Sequence, residues 1–152
     1  MSSEDLAALE ALIARSVRSA TPAVADSIAY PGRQMTAAEL IEFWNATRLV
    51  TMATVGPGGQ PHVAPVHATL EGTRLRLVIY DNTVRRADLA QNPRVAFTAY
   101  RDGAAAILYG RAREVPGSLR DARPGRSGQA RKVVTVEVAL TRVYAMRAPE
   151  RS

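Results

Sequence analysis

The chain contains no cysteine in 152 residues, which excludes a disulfide framework, a thiolate nucleophile and thiolate ligation of a metal. Its only histidines are His62 and His67. Five positions apart on one predicted strand, they point to opposite faces and cannot chelate one ion together, so no metal site is expected. Each reads first as a structural or solvent-facing histidine. Aromatic residues make up only 5% of the chain and do not interleave with its basic clusters. That argues against base-stacking platforms and hence against nucleic acid as a partner. No apolar run reaches the roughly 20 residues of a membrane span. Glu4, Asp5 and Glu10 stand in the first helical stretch with no apolar stretch after it, so no secretory leader is expected and a cytoplasmic address fits. Lysine occurs once, at Lys132, while arginine occurs nineteen times and the net charge is +6. The excess is either solvated surface or a surface for anionic partners. No Ser-His-Asp set or phosphate-binding glycine loop is present.

What is there reads as a mainly β domain behind a helical extension. Leu6, Leu9, Leu12, Ile13 and Val17 fall at helical spacing over residues 4–19, and a Pro- and Gly-containing connection runs from Thr21 to Gln34. Thr36-Ala37-Ala38-Glu39 reads as a capping box opening a second helix that carries Leu40, Ile41, Phe43 and Trp44. From Leu49 the period changes to two. Strands are predicted over 49–55, 63–70, 73–80, 94–100, 104–115 and 132–143, with Pro61 and Pro65 marking an edge, a strand start or a bulge. A short helix is expected over 84–91, ending at Asn92-Pro93. Residues 116–129, rich in Gly, Pro, Ser and Arg, read as a mobile loop. Six mostly antiparallel strands with few helices suggest a closed or nearly closed barrel. The division is a helix and linker over 1–35, a barrel domain over 36–147 and a tail over 148–152.

The most informative segment is Tyr80-Asp81-Asn82-Thr83-Val84-Arg85-Arg86. A strand ends, Thr83 is a plausible N-cap, and two arginines occupy the first helical turn. Unpaired N–H groups and the helix dipole favour an anion at such a place, and arginine adds bidentate bonds to phosphate. Cations there disfavour the helix itself. Two solvated arginines remain the alternative. Asp81 and Asp88 read as a turn residue and a helix-surface residue, and no catalytic side chain is assigned.

From Thr36 to Val143 the chain resembles the pyridoxamine 5'-phosphate oxidase-like, FMN-binding split-barrel family. The resemblance rests on Leu49-Val50-Thr51-Met52-Ala53-Thr54, on Gly59-Gln60-Pro61-His62-Val63-Ala64-Pro65-Val66, on the run Val84 to Ala96, and on Tyr109-Gly110-Arg111-Ala112. It implies a six-stranded split barrel and a homodimer with cofactor sites at the interface. It implies a cofactor phosphate held by Arg85 and Arg86 beside Thr83. The ring system would lie along Val63, Ala64, Pro65 and Val66, and Ile79 and Tyr80 would approach it through their backbone. His67, which shares a face with Val63 and Pro65, would line a substrate pocket with Trp44.

Two departures narrow that reading. No histidine follows His67, so the carboxyl-terminal arginine-and-histidine motif of the vitamin-salvage oxidases is missing. Ala104-Ala105-Ala106 stands where family members place a glutamine toward the cofactor. The resulting expectation is an oxidoreductase using FMN, or the deazaflavin coenzyme F420, on a small organic substrate other than pyridoxamine phosphate. In such an enzyme the ring system carries the hydride chemistry and the protein supplies position and electrostatics. The alternative is a flavin- or haem-binding storage or sensor protein without turnover. Haem, which would require a histidine as axial ligand, is the weaker cofactor reading.

Overall fold

In the computed structural model, residues 1–30, 32–122, 128 and 130–150 are described. The helices are α1 (Ser3–Arg18), α2 (Pro22–Ser27), α3 (Ala37–Ala46) and α4 (Val84–Gln91). The strands are β1 (Val50–Val55), β2 (Pro61–Val66), β3 (Ala68–Glu71), β4 (Arg74–Tyr80), β5 (Arg94–Arg101), β6 (Ala104–Glu114), β7 (Arg120–Asp121) and β8 (Lys132–Met146). The order across the antiparallel sheet is β2-β1-β5-β6-β8-β4-β3, with β7 added to β8. Its two ends, β2 and β3, are halves of one segment interrupted at His67. The sheet therefore curls back on itself, as the split-barrel expectation requires.

Closure is incomplete. β2 pairs with β1 through Val66↔Val50 to Pro61↔Val55. β3 pairs with β4 from Glu71↔Arg74 to Ala68↔Leu77, and there the pairing stops. Beyond it, Val78–Tyr80 has β8 on one side only. A split thus opens at His67 between β2 and the end of β4. Among the described residues neither facing edge has a sheet partner there. Pro61 starts β2, and Pro65 lies in a strand with one neighbour, where a missing N–H is tolerated.

Alternation decides the core. In β4, Leu75, Leu77 and Ile79 are buried while Arg74, Arg76 and Val78 are exposed. The inward rows meet Leu9 and Leu12 of α1 and Leu40 and Trp44 of α3 in one cluster. α1 is anchored by Ser16, whose hydroxyl donates to Leu12 O (2.8 Å) and accepts from Val143 N (2.9 Å). The capping box of α3 forms as expected, with Glu39 N on Thr36 Oγ1 and Thr36 N on Glu39 Oε1, both 3.2 Å. α2 was not expected in the 21–34 connection. Thr21 caps it and Pro22 occupies its first turn, a position where the missing N–H costs nothing.

Candidate functional site

The split ends where α4 begins. Thr83 is the N-cap of α4: its hydroxyl accepts from Arg86 N (3.4 Å) and donates to Tyr80 O (3.0 Å). The helix is held down by Asp88, which is 2% exposed. One oxygen, Oδ2, accepts from both Thr54 Oγ1 and His62 Nδ1, each at 2.7 Å. A carboxylate can only accept, so His62 carries its proton on Nδ1. Burial pushes the Asp88 carboxyl up, but the bonds from His62 and Thr54 outweigh it and hold it below its ordinary value. Asp88 is therefore a buried anchor and not the surface residue expected. The sequence signal for it was Thr54 and His62 on inward positions of neighbouring strands, two polar side chains that need a partner.

The two arginines of the first turn do different things. Arg86 is engaged: Nε donates to Glu114 Oε1 (2.7 Å), Nη2 to Oε2 (3.3 Å) and Nη1 to Asp81 O (3.3 Å). Arg85 has no carboxylate partner among the described residues, and its buried Nε has no hydrogen-bond acceptor. A buried N–H without an acceptor is uncommon and costly. Arg85 is thus the guanidinium free for an added anion. Glu114 sets the two arginines apart, and sequence reasoning missed it because it lies 28 residues beyond Arg86 on β6.

On β2 the strand period separates the remaining candidates. Val63 and Pro65 point outward, Val63 with 71% of its surface exposed, while Val66 is buried and Ala64 half-buried. Ile79 is buried and lines the hollow against α4, and Tyr80 is half-buried at the strand end. The Arg131 guanidinium lies 4.7 Å from the Tyr80 ring centre. His67 sits at the break in the strand, outside the core. Its Nδ1 donates to Arg48 O (3.0 Å), and among the described residues Nε2 has no partner. Trp44 is not beside it. It is fully buried, donates Nε1–H to Ala68 O (3.2 Å) and meets Phe97 edge-on, so it is a core residue with no access to a pocket.

Two hollows flank the split. One, of about 700 Å³, lies against α4 and is lined by Ile79, Thr83, Arg86, Leu89, Ala112 and Val136 among others. The other, of about 650 Å³, includes His67, Arg76, Val78, Ser118, Arg120 and Thr135. Arg120 is fixed there by bonds from Nη1 to Ser118 O (3.1 Å) and Thr135 Oγ1 (3.0 Å). The pocket beside His67 thus carries charged side chains. Of the loop arginines, Arg123 and Arg126 lie outside the described residues. Among the described residues no cluster suited to a metal ion occurs, and no helix is long and apolar enough to cross a membrane.

A curled eight-stranded sheet, split beside a helix whose first turn carries an arginine without a carboxylate partner among the described residues, defines the class as a split barrel. The pyridoxamine 5'-phosphate oxidase family model matches residues 36–147, and the chain belongs to that family. No curated protein matches it. Among solved structures it is similar to conserved hypothetical protein Rv2991 from Mycobacterium tuberculosis, at 22% identity and TM-score 0.63, over 80% of this chain and 94% of that one. It is also similar to a FAD-binding protein from Mesorhizobium loti, at 18% identity and TM-score 0.58, over 77% and 98% of the two chains. A third is an F420 reductase, at 18% identity and TM-score 0.54, over 67% and 93%. At these identities the likeness concerns the fold.

Proposed function

We propose that the chain is a coenzyme-dependent oxidoreductase whose flavin-type coenzyme, FMN or the deazaflavin F420, lies along the split. One observation carries the reading: among the described residues β2 and the end of β4 each lack a second sheet partner, and the helix that follows β4 opens with Arg85, whose buried Nε has no acceptor. Free strand edges offer the alternating donors and acceptors that a polar heteroaromatic ring requires. Arg85 and the first turn of α4 offer a phosphate seat, with Thr83 fixing the turn. These features fit a phosphorylated ring coenzyme. Family membership and the similarity to a FAD-binding protein and an F420 reductase support the same reading.

When bound, such a coenzyme supplies hydride transfer, and the protein's part is position and electrostatics. β2 would hold the ring edge through backbone groups of Val63 to Val66. His67 Nε2 and Arg120 would meet a substrate over the outer face. The outward row Val63, Pro65, Ala53, Thr98, Tyr100 and Tyr109 would be covered by a second copy of the chain, completing the site. Pyridoxamine phosphate is a poor candidate substrate, since no histidine follows His67. The test is steady-state turnover of purified protein loaded with each coenzyme. Oxidation of the reduced coenzyme by small organic acceptors is expected, with no pyridoxal phosphate formed from pyridoxamine phosphate. Binding without turnover would make the protein a coenzyme carrier, and pyridoxal phosphate formation near one per second, an ordinary enzyme rate, would restore the salvage reading.

A further inference from the structure

Where the end of α1 meets β8 the surface forms another hollow, of about 430 Å³, lined by Arg15, Ser16, Arg18, Ser19, Thr141 and Arg142. It shares no lining residue with the two hollows beside the split. Three guanidiniums and no carboxylate line it, and none of the three pairs with a carboxylate among the described residues. The hydroxyls around them are already committed. Ser16 donates to Leu12 O (2.8 Å), Ser19 to Arg15 O (3.0 Å) and Thr141 to Tyr109 O (3.3 Å). The bonding capacity left in the hollow is that of the guanidiniums.

The fold holds these like charges together. Ser16, 3% exposed, accepts from Val143 N at 2.9 Å, and this buried bond pins α1 to β8. Arg15 and Arg142 are the chain neighbours of the two bonded residues, so the same bond sets their spacing. The bulge of β8 against β6 adds to this. Tyr109 pairs with Arg142 and Gly110 with Leu140, so Thr141 is the extra residue, and Thr141 and Arg142 are both exposed where a regular strand would turn one of them inward. Re-aiming a side chain is a common use of a bulge. The helix dipole explains only part of the cluster. Arg15 and Arg18 stand in the last turn of α1, where cations are favoured. That end carries only about half a negative charge, which three cations overcompensate.

We propose that this hollow is a binding site for a small, multiply charged oxyanion, a polyphosphate or a polycarboxylate, which bridges α1 to β8. Guanidinium forks take carboxylate and phosphate oxygens in pairs, and the attraction grows with the charge of the ligand. Two of the three arginines precede residue 36, so the site joins the N-terminal extension to the segment that the family model matches. It is independent of the coenzyme, whose proposed phosphate seat is Arg85.

The test is titration calorimetry of the full-length protein at constant ionic strength, with pyrophosphate and citrate as the multivalent anions and acetate as the single-charge control. Wild type should bind pyrophosphate, citrate or both at least about tenfold more tightly than acetate. Arg15→Gln and Arg142→Gln, both at exposed side chains, should each weaken that binding about tenfold or more while the circular dichroism spectrum stays unchanged. Two controls remove the same charge elsewhere. Arg48→Gln and Arg85→Ala, at residues that line none of these three hollows, should change the affinity less than about twofold, because salt screens distant charges. Failure of both multivalent anions to bind wild type, or affinity for acetate equal to theirs, would overturn the site. So would binding that Arg142→Gln leaves unchanged. An equal loss in Arg48→Gln would show attraction to net charge alone, and loss confined to Arg85→Ala would place the anion at the coenzyme seat; either result overturns the site as well.

Discussion

Asp88 shows how one side chain fixes the geometry of a site it does not enter. Its oxygen collects donors from β1 and β2 at once, through Thr54 and His62, and so ties α4 to the strands beside the split. Gly56 makes room for this, since a Cβ there would lie 2.5 Å from the His62 ring. Asp88→Asn keeps the shape and one acceptor oxygen but removes the charge that strengthens both bonds. Hydrogen bonds to a charged group contribute about 1.5–3 kcal/mol, part of which should be lost in urea unfolding at neutral pH. The sign with pH follows from the shift. The folded carboxyl lies below its ordinary value of 3.8, so the stability it contributes is present above about that pH and lost as pH falls through the lowered value. The gap between wild type and Asp88→Asn should therefore be full at pH 7 and shrink below about pH 4. A gap unchanged down to pH 2 would mean that the carboxylate is not the anchor.

At the scale of elements, most of the barrel was legible because its strands keep strict alternation. Leu75, Leu77 and Ile79 bury while Arg74, Arg76 and Val78 do not, and that pattern survives any tertiary context. The two long helices were legible from capping and spacing. α2 was not, because Pro22 reads as a breaker unless its place in the first turn is already known. Nor was the break at His67 visible, because residues 61–71 alternate without interruption; only the change of partner from β1 to β4 divides them. The bulge of β6 against β8, between Tyr109 and Gly110, is also a property of the pair. A Cβ at Gly110 would lie 2.6 Å from Ala139 O, so glycine there serves a close approach that one strand's sequence cannot announce. In the site, Arg85, Arg86 and Thr83 were legible as a helix start. Glu114 and the burial of Asp88 were not, since both depend on contacts distant along the chain.

For the whole molecule, the outward surface over β2, β1, β5 and β6 exposes large apolar side chains. Val63 is 71% and Tyr100 74% exposed, with Tyr109 nearby on the same face of β6. Such apolar surface on a small barrel points to burial against a second copy. Sedimentation at micromolar concentration should give a dimer, and Tyr100→Glu should shift it toward monomer. A monomeric wild type would remove both the interface and the second half of the proposed site. The proposed coenzyme site joins all three scales, because its anion would meet Arg85 on the helix beside a split that only the curled sheet creates. The most direct test is fluorescence titration of FMN and F420 into wild type and Arg85→Ala, with circular dichroism to verify the fold. A charged hydrogen bond of this kind contributes roughly 1.5–3 kcal/mol, so the substitution should weaken the tighter coenzyme at least tenfold while leaving the spectrum unchanged. Equal affinity in the two proteins would contradict the account and place the phosphate elsewhere, with Arg120 the first alternative.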